Sequence, residues 1–349
     1  MSIPALTMPF PRRGASPAMD TVLEDMWAWL DRFGLPGTQA MHDQLTRTSP
    51  QLTTALYYPN ADAAHLRLPA RYMAWGFIVD DLLDDTNLAH DAQAAAAFID
   101  ELVGVAWGTC RPSRPAGHAF ADVMADLCRD RTPGWRTALA EGNAAWLATY
   151  RVEAEDRDRQ MSFGDYLPHR RSSVGETIFF HLHEYVAGIE LPAQVRELPA
   201  MAQARDRGSE WIGLYNDLYS AGKEAVVDYP FNAVHLLRRL HGCSAQAAAG
   251  MVAAVLDGLM DQFEAACACA AAQVRAITDD RRVLADIEAV LDGYRCLLRG
   301  NFDYHPSTDR YSDVDAYAAD GPTNGGAPWS ATALTPGTTN NRTRHETKP

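Results

Sequence analysis

The stretch "GFIVDDLLDDT", residues 76–86, places four aspartates within six residues at the end of an apolar run. On a helix Asp80 faces Asp84, Asp81 faces Asp85, and Asp81 also meets Asp84, so like charges repel along one surface. Aspartate is also an indifferent helix former. The plainest account of an acidic run is a solvated helix face. Here, however, the residues leading into it, "YMAWGFIV", have the pattern of a buried helix. Negative charge concentrated at the end of a buried helix calls for a cation.

The chain has 349 residues, 47% hydrophobic and 22% charged, which is ample for a large core. Its formal net charge of -14 argues against nucleic acid and anionic membrane surfaces as partners. A diphosphate would be repelled too, unless metal ions or local cations intervene. The six cysteines (110, 128, 243, 267, 269 and 296) show no CxxC pair and no zinc-ligand spacing. Cys267 and Cys269, in "FEAACACAAAQV", read as small buried residues of a helix. The opening "MSIPALTMPFPRRGASPAM" lacks the apolar core of a signal peptide, and no later run reaches transmembrane length. A reducing cytoplasm is the expected compartment.

Residues 1–19, rich in proline and arginine, are expected to be irregular. "MDTVLEDMWAWLDRFGL" then begins a helix, with Asp20 as its cap, Leu23, Met26, Trp27 and Leu30 on one face, and Gly34 at its end. Helical patterns follow at 69–86, 91–107, 116–130, 134–158, 173–188, 200–224, 230–240, 244–276 and 280–300, separated by proline- and glycine-bearing breaks. No alternating strand pattern and no internal repeat is visible. The expected fold is therefore all-α, with one domain over 20–311. Residues 312–349 are small and polar with few aliphatics, the composition of a disordered tail.

A second stretch carries chemistry. In "WIGLYNDLYSAGKEAV", Asn216, Ser220 and Glu224 recur every four residues and so share one helix face. An amide oxygen, a hydroxyl and a carboxylate are hard donors that suit magnesium or manganese, and the lack of histidine or thiolate argues against zinc. Alone this spacing arises by chance on exposed helices. Opposed to the aspartate-rich helix across a bundle, it would hold several divalent ions with room for a polyanion between.

The pair "DDLLDD" and "NDLYSAGKE" resembles the aspartate-rich motif and the asparagine–serine–glutamate triad of bacterial class I terpene synthases, over roughly residues 8–311. "PHRRSSVGETIF" is similar to that family's diphosphate-sensing arginine followed by a helix break. By that pattern Arg171 is the sensor, with the adjacent Arg170 as the alternative, Val174 the linker and Gly175 the effector. "STDRYSD" supplies Arg310 and Tyr311, matching the family's C-terminal arginine–tyrosine pair. Tyr304 departs from the pattern, standing where many relatives have tryptophan.

The resemblance implies a helical bundle around a deep apolar pocket that ionises and cyclises an acyclic prenyl diphosphate with three magnesium ions, manganese being possible. It makes Asp80 the first metal ligand and places Asp81, Asp84 and Asp85 in the same acidic cluster. Asn216, Ser220 and Glu224 hold a further position. Arg171, Lys223, Arg310 and Tyr311 meet the diphosphate, where an arginine fork matches phosphate oxygens. Ionisation needs that leaving group stabilised, and the carbocation needs a dry, aromatic-lined cavity. Trp75, Phe77, Phe179, Phe180 and Tyr304 are the candidate wall residues, each equally readable as plain core. A homodimer is compatible with the family.

Rival readings remain. A chain-elongating prenyltransferase would carry a second DDxxD motif, and the only later aspartate pair, Asp279–Asp280, is followed by arginines. A non-catalytic helical protein binding metal and diphosphate is the rival from another class. His181 and His183 are two apart, on different helix faces, and do not form a metal site. Farnesyl diphosphate is the first-choice substrate and geranylgeranyl diphosphate the alternative.

Overall fold

The computed structural model describes residues 1–85, 91–156, 161–226 and 229–311. Among them every regular element is helical. In chain order the helices are α1 (Met19–Arg32), α2 (Gln39–Thr48), α3 (Pro50–Tyr57), α4 (Ala63–Asp85), α5 (Ala92–Ala106), α6 (Pro115–Leu127), α7 (Pro133–Asp156), α8 (Phe163–Ser173), α9 (Glu176–Val186), α10 (Ala193–Arg196), α11 (Pro199–Val226), α12 (Ala233–His241), α13 (Ala245–Ile277) and α14 (Arg281–Tyr304). Two short 3₁₀ turns, His305–Ser307 and Asp309–Tyr311, close the described chain. No single helix among the described residues is long and apolar enough to cross a membrane. The expected tail, 312–349, lies outside the described residues.

The two long motif helices are held in place by packing. α4 runs between α1, α3 and α6, and α11 lies along α13. On α4, Trp75 stacks flat on Phe120 of α6, 4.0 Å between centroids. Its indole N–H donates to the Ala116 carbonyl. Arg71 grips Asp25 of α1 with two hydrogen bonds of 2.7 Å, a paired geometry that fixes register as well as charge. α4 begins at Ala63, earlier than the pattern predicts, with Pro69 inside it. Asp62 caps it by accepting from the His65 amide.

Other differences from the sequence expectation have local causes. α1 starts at Met19 with Ala18 as its cap, and Asp20 lies in the first turn, where a carboxylate favours the helix dipole without capping it. The buried face of α1 is Val22, Met26, Trp29 and Leu30; Leu23 and Trp27 are only partly buried. Trp27 instead stacks on His42 of α2. Helices α2 and α3 have no counterpart in the predicted pattern. α3 is a run of threonines with poor intrinsic propensity, begun by Pro50 at its first turn and held by burial of Thr53, Thr54 and Tyr57. The predicted helix 173–188 is α9, while α8, which precedes it, has no counterpart in the predicted pattern; the two are joined at Val174–Gly175. Cys269 is exposed, unlike the buried Cys267, because α13 turns only one side to the bundle. Residues before Met19 form no helix yet still pack on the body: Phe10 is buried, and Ser16 donates to the Ala61 carbonyl.

The crossing of α3 and α14 is close enough to demand glycine. A Cβ at Gly300 would stand 2.5 Å from the Leu56 carbonyl oxygen and 2.8 Å from the Tyr57 nitrogen. Backbone atoms cannot swing aside as a side chain can. Gly300→Ala should cost about 1–3 kcal/mol of stability, read as a lower thermal midpoint. An unchanged midpoint would show that the two helices do not meet this tightly.

Candidate functional site

The acidic end of α4 does meet a cation, Arg310. Its guanidinium reaches Asp80 at 3.2 Å, Asp81 at 3.3 Å and the Thr48 hydroxyl at 2.9 Å. It also sits 4.8 Å above the ring of Phe77, a cation–π contact. Tyr150 of α7 donates to the other oxygen of Asp80 at 2.8 Å. Burial disfavours the charged guanidinium, but Asp81 and Asp80 outweigh it and hold the group well above its ordinary value. Asp84 and Asp85 follow on the last turn of α4, and their side chains lie outside the described residues.

The next residue ties this cluster to α11. Tyr311 accepts a 2.8 Å hydrogen bond from the Asn216 amide nitrogen and stacks on His305. Asn216 also donates to His305 Nε2, 3.2 Å away. Its Oδ1 accepts from Arg170 at 2.8 Å. Arg310 and Tyr311 therefore bridge the two oxygen-rich faces. Farther along α11, Ser220 and Glu224 are joined by Asn232, whose amide lies 3.3 Å from the serine hydroxyl and 2.7 Å from the glutamate. Burial, then the nearby Asp217, raises the Glu224 carboxyl above the ordinary range. Lys223, the residue before it, is half-buried.

Of the two adjacent arginines, the structure brings Arg170 to the motif face and carries Arg171 away from it. Neighbouring helical residues point about 100° apart, so both cannot serve one site. Arg170 bonds Asp217 at 2.9 Å and the Ser173 hydroxyl at 3.2 Å as well as Asn216. Arg171 turns to Asp206 and Glu210 on an earlier stretch of α11. Directly after Ser173, α8 ends on Val174, and Gly175 takes φ 71°, a left-handed conformation suited to glycine. A Cβ there would also meet the Trp146 ring at 3.4 Å.

Sequence reasoning missed Asn232, Asp217, Tyr150 and His305. Asn232 carries a readable signal, but of another kind: it caps α12 by accepting from the Val234 amide. Asp217 is fully buried and gathers the Tyr166 hydroxyl, Arg170 and the Ala233 amide. It anchors Arg170 rather than facing the cluster.

The aromatic candidates divide. Trp75 is wholly buried with its face covered by Phe120. Phe180, turned about 100° around α9 from Phe179, packs edge-on to Tyr294. Phe179 meets Tyr57 and Tyr72 edgewise. Tyr304 is buried and donates to the Thr48 carbonyl, behind the Arg310 turn. An aromatic wall thus runs from Tyr150 through Trp146, Trp75, Tyr72 and Phe179 to Tyr57.

The family profile described as "Terpene synthase family 2, C-terminal metal binding" matches residues 71–262, which include both oxygen-rich motifs and the α8–α9 break. The chain belongs to the terpene synthase family. It is 30% identical to a (2Z,6E)-hedycaryol synthase of Kitasatospora setae, over 92% of this chain and 95% of that one. It is 27% identical to a (-)-beta-caryophyllene synthase of Saccharothrix espanaensis, described as (2E,6E)-farnesyl diphosphate cyclizing, over 89% of this chain and 90% of that one. The solved structure of a hedycaryol synthase in complex with HEPES superposes with a TM-score of 0.79 at 28% identity, covering 88% of this chain and 99% of that one. Terpene synthases are lyases acting on prenyl diphosphates, and this chain is such an enzyme.

The donor set of this synthase fits a hard divalent ion. Asp80, Asp81, Asn216, Ser220 and Glu224 offer only oxygens. Among the described residues no three histidine, cysteine, aspartate or glutamate side chains converge. The geometry predicts different fates for the two arginines. Arg170→Lys should lower diphosphate release at least about a hundredfold, because a lysine cannot span Asn216, Ser173 and Asp217 together. Arg171→Lys should stay within about tenfold of the wild-type rate. The reverse order of severity would return the sensing role to Arg171.

Proposed function

We propose that this synthase is a sesquiterpene cyclase that ionises and cyclises farnesyl diphosphate in a magnesium-dependent reaction. The observation that carries this reading is the Arg310–Tyr311 bridge between the aspartates of α4 and the asparagine of α11. It gathers, at one rim, two sets of metal donors and cations for a polyanion. Farnesyl diphosphate is favoured over its twenty-carbon homologue by the described substrate of the caryophyllene-forming relative.

In this reading Asp80 and Asp81, with Asp84 and Asp85 beyond them, hold magnesium on one side. Asn216, Ser220 and Glu224 hold it on the other, with three ions in all and manganese as the second choice. The bound ions stabilise the charge that builds on the departing diphosphate. Arg170, Lys223 and Arg310 bind the diphosphate oxygens, and Tyr311 donates a hydrogen bond to them. Arg170 takes the sensing role, because its Ser173 contact places it one residue from the α8 terminus at Val174. Phe77 and Phe179 face the prenyl chain. The allylic C–O bond breaks with its electron pair going to the diphosphate, and the aromatic wall keeps water from the cation.

Incubation with the ten-, fifteen- and twenty-carbon diphosphates and magnesium tests this. A cyclised product from the fifteen-carbon substrate is expected. Product from the twenty-carbon substrate alone would overturn the substrate assignment, and no diphosphate release from any of them would overturn the activity. Asp80→Asn should cut turnover at least about a hundredfold in a folded protein, since a ligand charge is lost where leaving-group charge must be stabilised.

Magnesium and inorganic diphosphate should also bind with strong mutual coupling. Magnesium alone must compete with Arg310 for Asp80 and Asp81, and diphosphate alone faces those carboxylates. Together each removes the other's obstacle, tightening both by one common factor. The thermal midpoint with both ligands should exceed the sum of the separate shifts. Additive shifts would show that the two motifs do not share a ligand.

A further inference from the structure

Below the diphosphate rim lies a buried polar group that the reading above leaves without a task. Tyr57 of α3 donates to Glu176 Oε1 at 2.7 Å and accepts from the Asn301 amide nitrogen at 2.9 Å. All three side chains are more than nine-tenths buried: Tyr57 is 1%, Asn301 3% and Glu176 7% exposed. Two oxygens of the trio, Glu176 Oε2 and Asn301 Oδ1, have no hydrogen-bond partner among the described residues. They belong to the two groups that the Tyr57 hydroxyl joins. Leaving two buried acceptors unpaired forfeits their hydration without compensation. Buried polar groups with unpaired acceptors are commonly satisfied by water, which needs two or more partners.

The position of the trio links it to the chemistry. Glu176 directly follows Gly175, at the break of α8 and α9. Asn301 lies one turn before His305 on α14, and His305 contacts Asn216 at the rim. One turn is about 5.4 Å of rise, so the trio sits a single turn beneath the diphosphate-binding end. On its other flank Phe179, the last candidate wall residue, meets Tyr57 edge-on at 6.0 Å. A carboxylate and an amide in an otherwise aromatic enclosure are out of place as packing, since an apolar trio of the same shape would bury more cheaply.

We propose that Glu176, Tyr57 and Asn301 bind one water molecule at the wall of the reaction chamber and that this water quenches the final carbocation, making the product a terpene alcohol. The inference rests on the cyclase reading above. The water is held by Glu176 Oε2 and Asn301 Oδ1. Its lone pair forms the C–O bond to the cationic carbon. The resulting oxonium passes one proton to Glu176 Oε2, and the carboxylate becomes a carboxylic acid. That acid returns the proton to solvent once product and diphosphate have left. Burial pushes the Glu176 carboxyl up to about 8, so the carboxylate that takes the proton is the minor form at neutral pH, and the alcohol fraction should rise as pH passes about 8. In this scheme Tyr57 orients Glu176 and Asn301 and does not itself touch the cation.

The test uses the full-length protein with farnesyl diphosphate and magnesium in ¹⁸O-water, measuring diphosphate release and volatile products separately. Wild type is expected to give a mainly alcoholic product carrying the label. Glu176→Gln and Asn301→Leu should each lower the alcohol-to-hydrocarbon ratio at least about tenfold. Diphosphate release should continue at a reduced rate, because the rim residues are intact. Should Asn301→Leu fail to fold, the isosteric Glu176→Gln decides. A wild type that makes only hydrocarbon overturns the inference alone, as does an alcohol without the label or a product ratio unmoved by Glu176→Gln. No diphosphate release by wild type overturns the cyclase reading and this inference with it.

Discussion

Everything at the rim of this synthase turns on one contact, the Arg310 guanidinium held between Asp80 and Asp81. The aspartates stand at the end of a helix that is otherwise packed into the core, where their repulsion is poorly screened. Without a counter-charge they would disfavour the approach of any other acidic surface, including Glu224. The arginine removes that penalty, and its neighbour Tyr311 reaches Asn216 on the opposing helix. Two faces far apart in sequence are thus joined by two consecutive residues. Asn216 is satisfied on both ends of its amide, by Arg170 on the oxygen and by Tyr311 and His305 on the nitrogen.

Much of this was legible in the sequence because the signals are local. A four-residue recurrence on one helix fixes that Asn216, Ser220 and Glu224 share a face, and four aspartates after an apolar run fix where charge accumulates. The long helices were legible for the same reason. What escaped was tertiary. Which of Arg170 and Arg171 turns inward depends on the phase at which α8 docks on α11, and no neighbour in sequence encodes that phase. Asn232 reads as a cap and is one, yet the same amide also spans Ser220 and Glu224. Helix α3 was invisible because its threonines are weak helix formers that only burial against α4 and α14 stabilises. Trp75, a plausible wall residue by position, proves to have Phe120 flat against its face.

The enclosure beneath the rim combines two opposing demands. A carbocation survives only where water is excluded, which explains aromatic rings stacked edge to face from Tyr150 to Tyr57. The reaction must nevertheless end, and ending it requires a group that takes a proton. An aromatic wall with one polar trio at its foot, next to the only left-handed glycine joint between α8 and α9 among the described residues, separates those demands in space. Ionisation belongs to the upper end and termination to the lower.

The rim also divides labour between regular and irregular backbone. The oxygen donors proposed for metal ride on α4 and α11, helices of 23 and 28 residues packed along much of their length. The rim's cations do not. Arg310 sits in a three-residue 3₁₀ turn, and Arg170 lies in the last turn of α8, two residues past Pro168. Short turns and helix ends have few hydrogen bonds to break when they shift, whereas a long packed helix moves only as a body. Arg310 pairs with the same carboxylates that would hold a metal ion in the proposed reading. An ion bound there would free the arginine for another anion, and a diphosphate would be such a partner. In that reading the cations could re-pair while the oxygen donors stay in place, which would couple metal and diphosphate binding.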